Sequence, residues 1–118
     1  MLTLIKHLEK AEKANEVFLY AICDIAGEYV KVGKAKSINK RLAQLQTANP
    51  SRLIVVGLRK VYVSEALVYE ATIHRRLKQY HVLGEWFRYT DAVYQILGEG
   101  LLMSATVEPA NRLSSTIQ

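Results

Sequence analysis

Three runs of apolar residues along the chain predict three β-strands. The run VFLYAIC (17–23) is continuous and rich in β-branched and aromatic residues, which is typical of a buried strand. After a turn at DIAGE, the segment YVKVG (29–33) alternates apolar and polar residues and completes a β-hairpin. The third run, RLIVVGLRKVYV (52–63), is interrupted by Gly57, which indicates a β-bulge.

Apolar residues at helical spacing predict four helices around these strands. Residues 2–14 form the first helix. Ser37 is a good N-cap for the second helix, INKRLAQLQ, which ends near Thr47. Ser64 caps the third helix, EALVYEATIHRRLKQY, and the segment TDAVYQILG (90–98) forms the last.

The order of these elements predicts an α+β fold. We expect a small, mainly antiparallel three-stranded sheet, built as a β-hairpin, a helix, a strand and a helix, with helices flanking it. The segment EWFRY is predicted to be a short strand or a docking segment. The chain divides into an N-terminal helix over residues 1–15, a domain over residues 16–99 and a tail over residues 100–118 that we expect to be disordered.

The positive charge is concentrated in one block of the sequence. The chain has 118 residues and a net charge of +5, and its segment from Lys31 to Lys60 holds eight Lys or Arg and no Asp or Glu. Such a block predicts a polyanionic partner, with nucleic acid first and an anionic membrane surface second. The alternative is a solvated basic face without a partner. The cations expected to hold a nucleic-acid backbone are Lys34, Lys36, Lys40, Arg52, Arg59 and Lys60.

Cysteine content and hydropathy predict the cellular compartment of the protein. The single cysteine, Cys23, excludes an internal disulfide and fits a reducing compartment. The N-terminus has no long apolar segment typical of a signal peptide, and no segment approaches the roughly 20 apolar residues of a membrane span. We therefore expect a soluble cytoplasmic protein without a membrane partner.

Glu70 interrupts the apolar stripe of the third helix. That stripe consists of Ala66, Ile73, Leu77 and Tyr80. His74 lies one turn further along the same side of the helix. A carboxylate on an apolar face costs free energy unless a charged group meets it. Glu70 is therefore expected either to pair with a neighbour such as Arg41 or to hold a divalent metal at a cleft.

Three further side chains are candidates for chemistry. Arg41 borders the apolar stripe of the second helix. It is expected either to bind a phosphate through its guanidinium group or to be a surface arginine with a buried stem. Tyr20 lies in a strand that we expect to be covered on both faces, so its hydroxyl needs a hydrogen-bond partner unless it is a plain core aromatic. Lys31 projects from the face opposite Val30 and Val32.

The motifs FLY, KVG, Arg41, LQTANP, EATIH and GEWF occur in this order between residues 17 and 87. Together they resemble the GIY-YIG endonuclease superfamily, in particular its compact phage and bacterial branch with the pattern K-I-G, R, L-Q-T-G-N-P, E-x-x-L-H and G-E-W-F. The resemblance implies the fold of that family and hydrolysis of phosphodiester bonds.

The resemblance also implies roles for particular residues. Tyr20 matches a tyrosine that activates water, and Arg41 matches an arginine that contacts the scissile phosphate. Glu70 matches the ligand of a single divalent metal, usually Mg²⁺, with Mn²⁺ as the alternative. His74 matches a histidine of the branch. Lys31 stands in the place of a tyrosine, where it would donate to the phosphate or lower the pKa of the Tyr20 hydroxyl.

One departure from the family pattern concerns the backbone. Ala48 replaces the glycine of L-Q-T-G-N-P. If that position requires a positive φ, alanine costs on the order of 1 kcal/mol there.

The leading hypothesis from the sequence is a metal-dependent DNA endonuclease. Its catalytic residues would be Tyr20, Lys31, Arg41, Glu70 and His74, with Glu70 as the metal ligand. The second hypothesis is a nucleic-acid-binding module of the same fold without turnover, and the third is a purely structural protein. DNA is the expected partner, RNA is left open, and a partner protein or a second copy of the chain would supply targeting.

Overall fold

The computed structural model describes residues 15–110. Its elements in chain order are β1 (Glu16–Asp24), β2 (Tyr29–Ala35), α1 (Ile38–Thr47), β3 (Leu53–Tyr62), α2 (Val63–Arg76), a 3₁₀ turn (Lys78–Tyr80), β4 (His81–Leu83), β5 (Trp86–Arg88), α3 (Asp91–Gly98) and β6 (Leu102–Met103). The predicted N-terminal helix over residues 1–15 lies, apart from Asn15, outside this range. The described range contains no helix with the length and apolar character of a membrane span.

A single antiparallel sheet of six strands organises the described residues, with the order β4-β5-β2-β1-β3-β6. The predicted α+β class with an antiparallel sheet is confirmed, but the predicted number of three strands is wrong. The additional strands β4, β5 and β6 are two or three residues long. Segments of that length carry no readable hydrophobic period, although the EWFRY segment does contain a short strand, as one alternative predicted.

The central strand β1 is buried on both faces, as the sequence predicted for the strand containing Tyr20. On one face, named the α2 face, Leu19 and Cys23 pack in a core cluster with residues of α2 and α3. On the opposite face, named the α1 face, Phe18, Tyr20 and Ile22 pack with residues of α1. The fold therefore has three layers with the sheet in the middle.

A β-bulge lies beside Gly57, as predicted. Ala21 of β1 pairs with Gly57, whereas the next residue, Ile22, pairs with Val55. Val56 is consequently the extra residue in β3. The bulge lets the strand keep apolar residues on both covered faces past this point.

The segment after α3 is packed against the sheet. Leu101 and Val107 are buried in the core cluster of the α2 face, and β6 pairs with β3. The expectation of a disordered tail from residue 100 is therefore wrong for residues 100–110. Residues 111–118 lie outside the described range.

The helix boundaries agree with the predicted caps in one case and differ in another. The Ser37 side chain caps α1 by accepting a hydrogen bond from the Lys40 amide at 3.3 Å. The helix α2 begins at Val63, before the predicted cap Ser64, because β3 runs directly into it with Tyr62 as the last extended residue.

The loop between α1 and β3 is held by the side chain of Gln46. Its Nε2 donates to the carbonyl oxygens of Ser51 at 2.8 Å and Asn49 at 3.3 Å, and its Oε1 accepts from the buried Leu53 amide at 2.8 Å. Ala48 in this loop has a φ of −96°, so alanine carries no backbone strain there. The glycine that the sequence comparison expected at this position is not needed.

Replacing Gln46 with alanine should lower the free energy of unfolding by about 1–3 kcal/mol, because the buried Leu53 amide would lose its acceptor. Urea denaturation measures this change. Gln44→Ala is the matched control, since Gln44 is an exposed glutamine of the same helix. Equal stability of the two variants would contradict the role assigned to Gln46.

Candidate functional site

Several residues predicted to carry chemistry gather at the outer edge of β2, where its partner strand β5 ends. The pairing between these strands covers only residues 29–31 of β2. Immediately beyond it, the Val32 amide donates to the Glu85 carbonyl at 3.1 Å. The Val32 carbonyl oxygen lies 2.8 Å from Nε2 of His74. Side chains from both faces of the sheet reach one another around this edge.

Glu70 is the buried acidic residue of this edge. It lies inside the apolar face of α2, as predicted, and only 7% of its surface is exposed. Its Oε1 accepts a hydrogen bond from Nζ of Lys34 at 2.9 Å. Its Oε2 is buried and has no hydrogen-bond partner among the described residues. Glu70 therefore does pair with a neighbouring cation, which is Lys34 rather than Arg41, and keeps one oxygen available.

His74 is held in one tautomer by the backbone of β2. A carbonyl oxygen only accepts hydrogen bonds, so Nε2 of His74 must carry the proton that it shares with Val32. In the neutral ring, Nδ1 then has a free lone pair. Phe87 fixes the ring plane through an edge contact, with ring centroids 5.2 Å apart. Metal-ligating histidines are typically oriented by such a hydrogen bond from the other ring nitrogen.

Glu85 brings a second carboxylate to the edge from the turn between β4 and β5. Its Oε1 forms an ion pair with Nζ of Lys31 at 3.1 Å. Nζ of Lys31 also lies 5.9 Å from the ring centroid of Trp86, in a cation–π contact. Lys31 is thus paired with Glu85, a residue of the GEWF motif.

One ligand atom from each of Glu70, His74 and Glu85 lies within 4.8 Å of the other two. The set offers two carboxylates and one imidazole, which are donor groups for a divalent cation. The unpartnered Oε2 of Glu70 supports this assignment, because a buried carboxylate oxygen without a donor is rare in a folded protein. The residues present therefore fit a metal ion.

Tyr20 reaches the same region from the α1 face. Its side chain is fully buried, and its hydroxyl has no hydrogen-bond partner among the described residues. A Cβ atom added to Gly33 would lie 2.6 Å from this hydroxyl and 3.0 Å from Oε1 of Glu85. The absence of a side chain at Gly33 is what allows the Tyr20 hydroxyl and the Glu85 carboxylate to approach the backbone of β2 so closely.

Burial raises the pKa of Tyr20 to about 12, and the nearby charges of Glu85 and Glu70 act in the same direction. The positive charge of Arg41 opposes this shift. The expectation that Lys31 lowers the pKa of Tyr20 is therefore wrong, since the pKa rises and Arg41 is the cation that acts on it. Tyr20 keeps its proton at neutral pH.

The remaining predicted cations are divided between the site and other surfaces. Lys34 belongs to the site through Glu70, although the sequence placed it on the outer surface. Lys36, Lys40 and Arg52 are exposed on the segments around α1. Arg41 is half-exposed on α1, and its charge acts on the hydroxyl of Tyr20.

Arg59 and Lys60 are not brought to this site. They lie on β3, which β1 separates from β2. The Arg59 guanidinium stacks on Tyr69, 4.4 Å from the ring centroid, and Lys60 forms an ion pair with Glu16 at 3.8 Å. These two cations stabilise another part of the sheet.

Sequence reasoning missed Glu85 and the inward role of Lys34. Glu85 belongs to the GEWF motif but was given no chemical role, because an acidic residue directly after a glycine in a turn is common. The signal for Lys34 was equally weak, because one lysine among several in a basic block has no distinguishing pattern. The Lys34–Glu70 contact joins residues 36 positions apart, and the Lys31–Glu85 contact joins residues 54 positions apart.

The geometry defines an α+β domain in which a buried carboxylate pairs with a lysine at a sheet edge, beside a histidine and a second carboxylate. The model of the T5orf172 domain matches residues 17–99, and the chain therefore belongs to the T5orf172 domain family. This is a nuclease-like, DNA-binding class of domain, consistent with a function related to nucleic acid. The assignment to the GIY-YIG superfamily is wrong, since the matching family model is a different one. Searches of curated proteins and of solved structures found no match.

Tyr20→Phe should raise the free energy of unfolding by about 1 kcal/mol at neutral pH, because it removes a buried hydroxyl that has no partner. The gain should increase above pH 10, where the unfolded state loses the tyrosine proton but the folded state, with a pKa of about 12, retains it. Urea denaturation at pH 7 and pH 10.5 checks both parts.

Tyr89→Phe is the control for this substitution. Tyr89 is also fully buried, but its hydroxyl donates to the Val107 carbonyl at 3.5 Å. Its replacement should therefore give no stabilisation at neutral pH. A loss of stability in Tyr20→Phe would show that the Tyr20 hydroxyl is hydrogen-bonded in the native state.

Proposed function

We propose that this chain is a metal-dependent endonuclease that hydrolyses DNA phosphodiester bonds. The observation that carries the proposal is the carboxylate of Glu70, which is buried with one oxygen unpartnered and two further metal-ligating side chains beside it. A buried carboxylate that is incompletely compensated costs stability, and such groups concentrate at functional sites. The nuclease-like class of the T5orf172 domain supports the same activity.

Glu70, His74 and Glu85 are the residues that would hold the divalent metal. When bound, such an ion supplies Lewis-acid stabilisation of the charge that develops on the phosphoryl and leaving-group oxygens. The imidazole nitrogen in this donor set favours Mn²⁺ over Mg²⁺, because Mg²⁺ strongly prefers oxygen ligands.

The cations of the site bind and orient the phosphate. Lys34 and Lys31 pair with Glu70 and Glu85, so both ammonium groups lie at the site, where they would donate to non-bridging phosphate oxygens. Arg41 would add a two-pronged donor from α1.

Tyr20 orients the attacking water through its neutral hydroxyl. With a pKa of about 12, only a very small fraction is phenolate at neutral pH. The hydroxyl would therefore act as a hydrogen-bonding group beside Gly33 and Glu85 rather than as a charged base. Residues 15–110 supply no partner for this hydroxyl, which is consistent with a water or a phosphate oxygen as its partner in the complex.

The exposed cations around α1 would hold the rest of the DNA backbone. These are Lys36, Lys40 and Arg52. Contacts to phosphates contribute affinity and salt dependence but do not read sequence.

A second candidate function is DNA binding without turnover. It is favoured by the ion pairs Lys31–Glu85 and Lys34–Glu70, which satisfy one oxygen of each carboxylate without any metal. Such a module would bind DNA in a salt-dependent manner in the presence of EDTA, and binding would survive Glu70→Gln.

The endonuclease proposal predicts nicking of supercoiled plasmid in the presence of Mn²⁺, measured by gel electrophoresis. Glu70→Gln and Arg41→Ala should each reduce the rate at least about 100-fold, as expected for loss of a metal ligand or of a phosphate donor. Glu65→Gln and Arg75→Ala are matched controls on the exposed face of α2 and should retain the rate. RNA of the same sequence tests the alternative substrate.

Equal activity of Glu70→Gln and wild type across metals and substrates would refute the endonuclease. Salt-dependent DNA binding without cleavage would instead establish the binding module. Absence of any affinity for DNA or RNA at low salt would remove both functions.

The proposed metal ligands predict that Mn²⁺ raises the melting temperature more than Mg²⁺ does. The rise follows from binding to the folded state alone, and differential scanning fluorimetry measures it. His74→Ala should remove the preference for Mn²⁺, whereas Glu70→Gln should remove the response to both ions. Glu65→Gln is again the control, and an unchanged response in Glu70→Gln would contradict the site.

A further inference from the structure

A small pocket opens on the α1 face beside the candidate site. Its volume is about 280 Å³. Its apolar walls are the rings of Tyr29 and Trp86 and the side chains of Val82 and Leu83. Trp86 pairs with Lys31, which lies two residues after Tyr29 on the same face of β2. The sheet therefore presents two aromatic rings to the same pocket.

The polar lining of this pocket does not suit a phosphate. The acidic residues Asp24 and Glu28 line it, together with the neutral polar residues Asn49 and Ser51. Oδ1 of Asp24 already accepts from the backbone amides of Glu28 and Tyr29, at 3.0 and 2.8 Å, so the acceptors left for a ligand are its Oδ2 and the carboxylate of Glu28. The Asn49 Oδ1 accepts from the Ser51 amide at 2.9 Å, so its Nδ2 is the group that can donate to a ligand. Acceptors and a donor beside aromatic walls match a neutral heteroaromatic ring with amino and carbonyl substituents.

Lys31 connects the pocket with the candidate phosphate site, because it contacts a residue of each. Nζ of Lys31 lies 5.9 Å from the ring centroid of Trp86, which lines the pocket, and 3.1 Å from Oε1 of Glu85 in the site. In a nucleic acid, each base lies next to its own phosphate. A base in the pocket would therefore bring a neighbouring phosphate towards Lys31.

We infer that this pocket binds one unstacked nucleobase of the substrate, next to the phosphate received at the candidate site. The inference rests on the proposed function and specifies its substrate as DNA with an unpaired base at the cleavage position. The volume is below the roughly 300–1,000 Å³ of sites for drug-sized ligands, which suits a single base. Stacking on aromatic rings is tolerant of base identity, so the pocket selects unpaired structure rather than sequence.

Two DNA duplexes of identical sequence test the inference, each with one bulged residue. That residue carries a normal base in one duplex and is an abasic analogue in the other. Fluorescence anisotropy in EDTA measures affinity without metal-dependent cleavage. The wild type should bind the bulged base about tenfold more tightly, as expected for one stacked base. The emission of Trp86, the sole tryptophan, should be quenched by the bulged base and not by the abasic duplex.

Exposed residues of the pocket provide variants that leave the core intact. Tyr29→Ala and Leu83→Ser remove side chains that are 44% and 73% exposed, and each should lower the affinity ratio to about 2 or less. Tyr62→Ala is the matched control, because Tyr62 is an exposed tyrosine on β3, away from the pocket. It should keep the tenfold ratio.

Each contrary result has a distinct meaning. Equal binding of the two duplexes by the wild type overturns the pocket, and plasmid nicking by the same preparation leaves the endonuclease standing. Equal losses in Tyr29→Ala and Tyr62→Ala also overturn the pocket. Self-association that is lost in Tyr29→Ala would assign the pocket to a second copy of the chain. Failure to bind either duplex would overturn both the pocket and the proposed function.

Discussion

The burial of β1 on both faces is the constraint on which the rest of the structure depends. Since neither face of this strand meets water, the chain has to cover both, and it does so with α1 on one side and α2 with α3 on the other. Tyr20 consequently carries its hydroxyl into the core, where it lies against the backbone at Gly33. The candidate site exists because the strand position opposite Tyr20 has no side chain.

Charge compensation holds the site together in the free protein. Glu70 loses most of its hydration on folding, and the ammonium group of Lys34 offsets part of that cost. The lysine is itself 42% exposed, so solvent screens the pair. In the Lys31–Glu85 pair the carboxylate is the exposed partner, at 41%, whereas the lysine is 14% exposed.

The long elements could be predicted from the sequence because hydrophobic periodicity needs several residues to become visible. The strands β1, β2 and β3 and the cap of α1 at Ser37 were predicted correctly for this reason. The short edge strands and the packed segment after α3 were not, since their positions are set by pairing with the long strands. The six short motifs between residues 17 and 87 led to the wrong superfamily, GIY-YIG, although they correctly predicted a nuclease-like class of domain.

The sequence by itself determined that Glu70 would be a costly polar group inside an apolar helix face and that Tyr20 would lie in a doubly covered strand. Both conclusions follow from local hydrophobic periodicity, which can be read directly from the order of residues in the sequence. Only the tertiary structure decided that Lys34 and not Arg41 meets Glu70, and that Glu85 joins His74 beside it. Those contacts connect distant segments around the end of a strand pairing. Their physical cause is that β5 begins only at Trp86, opposite Lys31, and leaves the rest of β2 without a partner strand on that side within the described range, which no local pattern records.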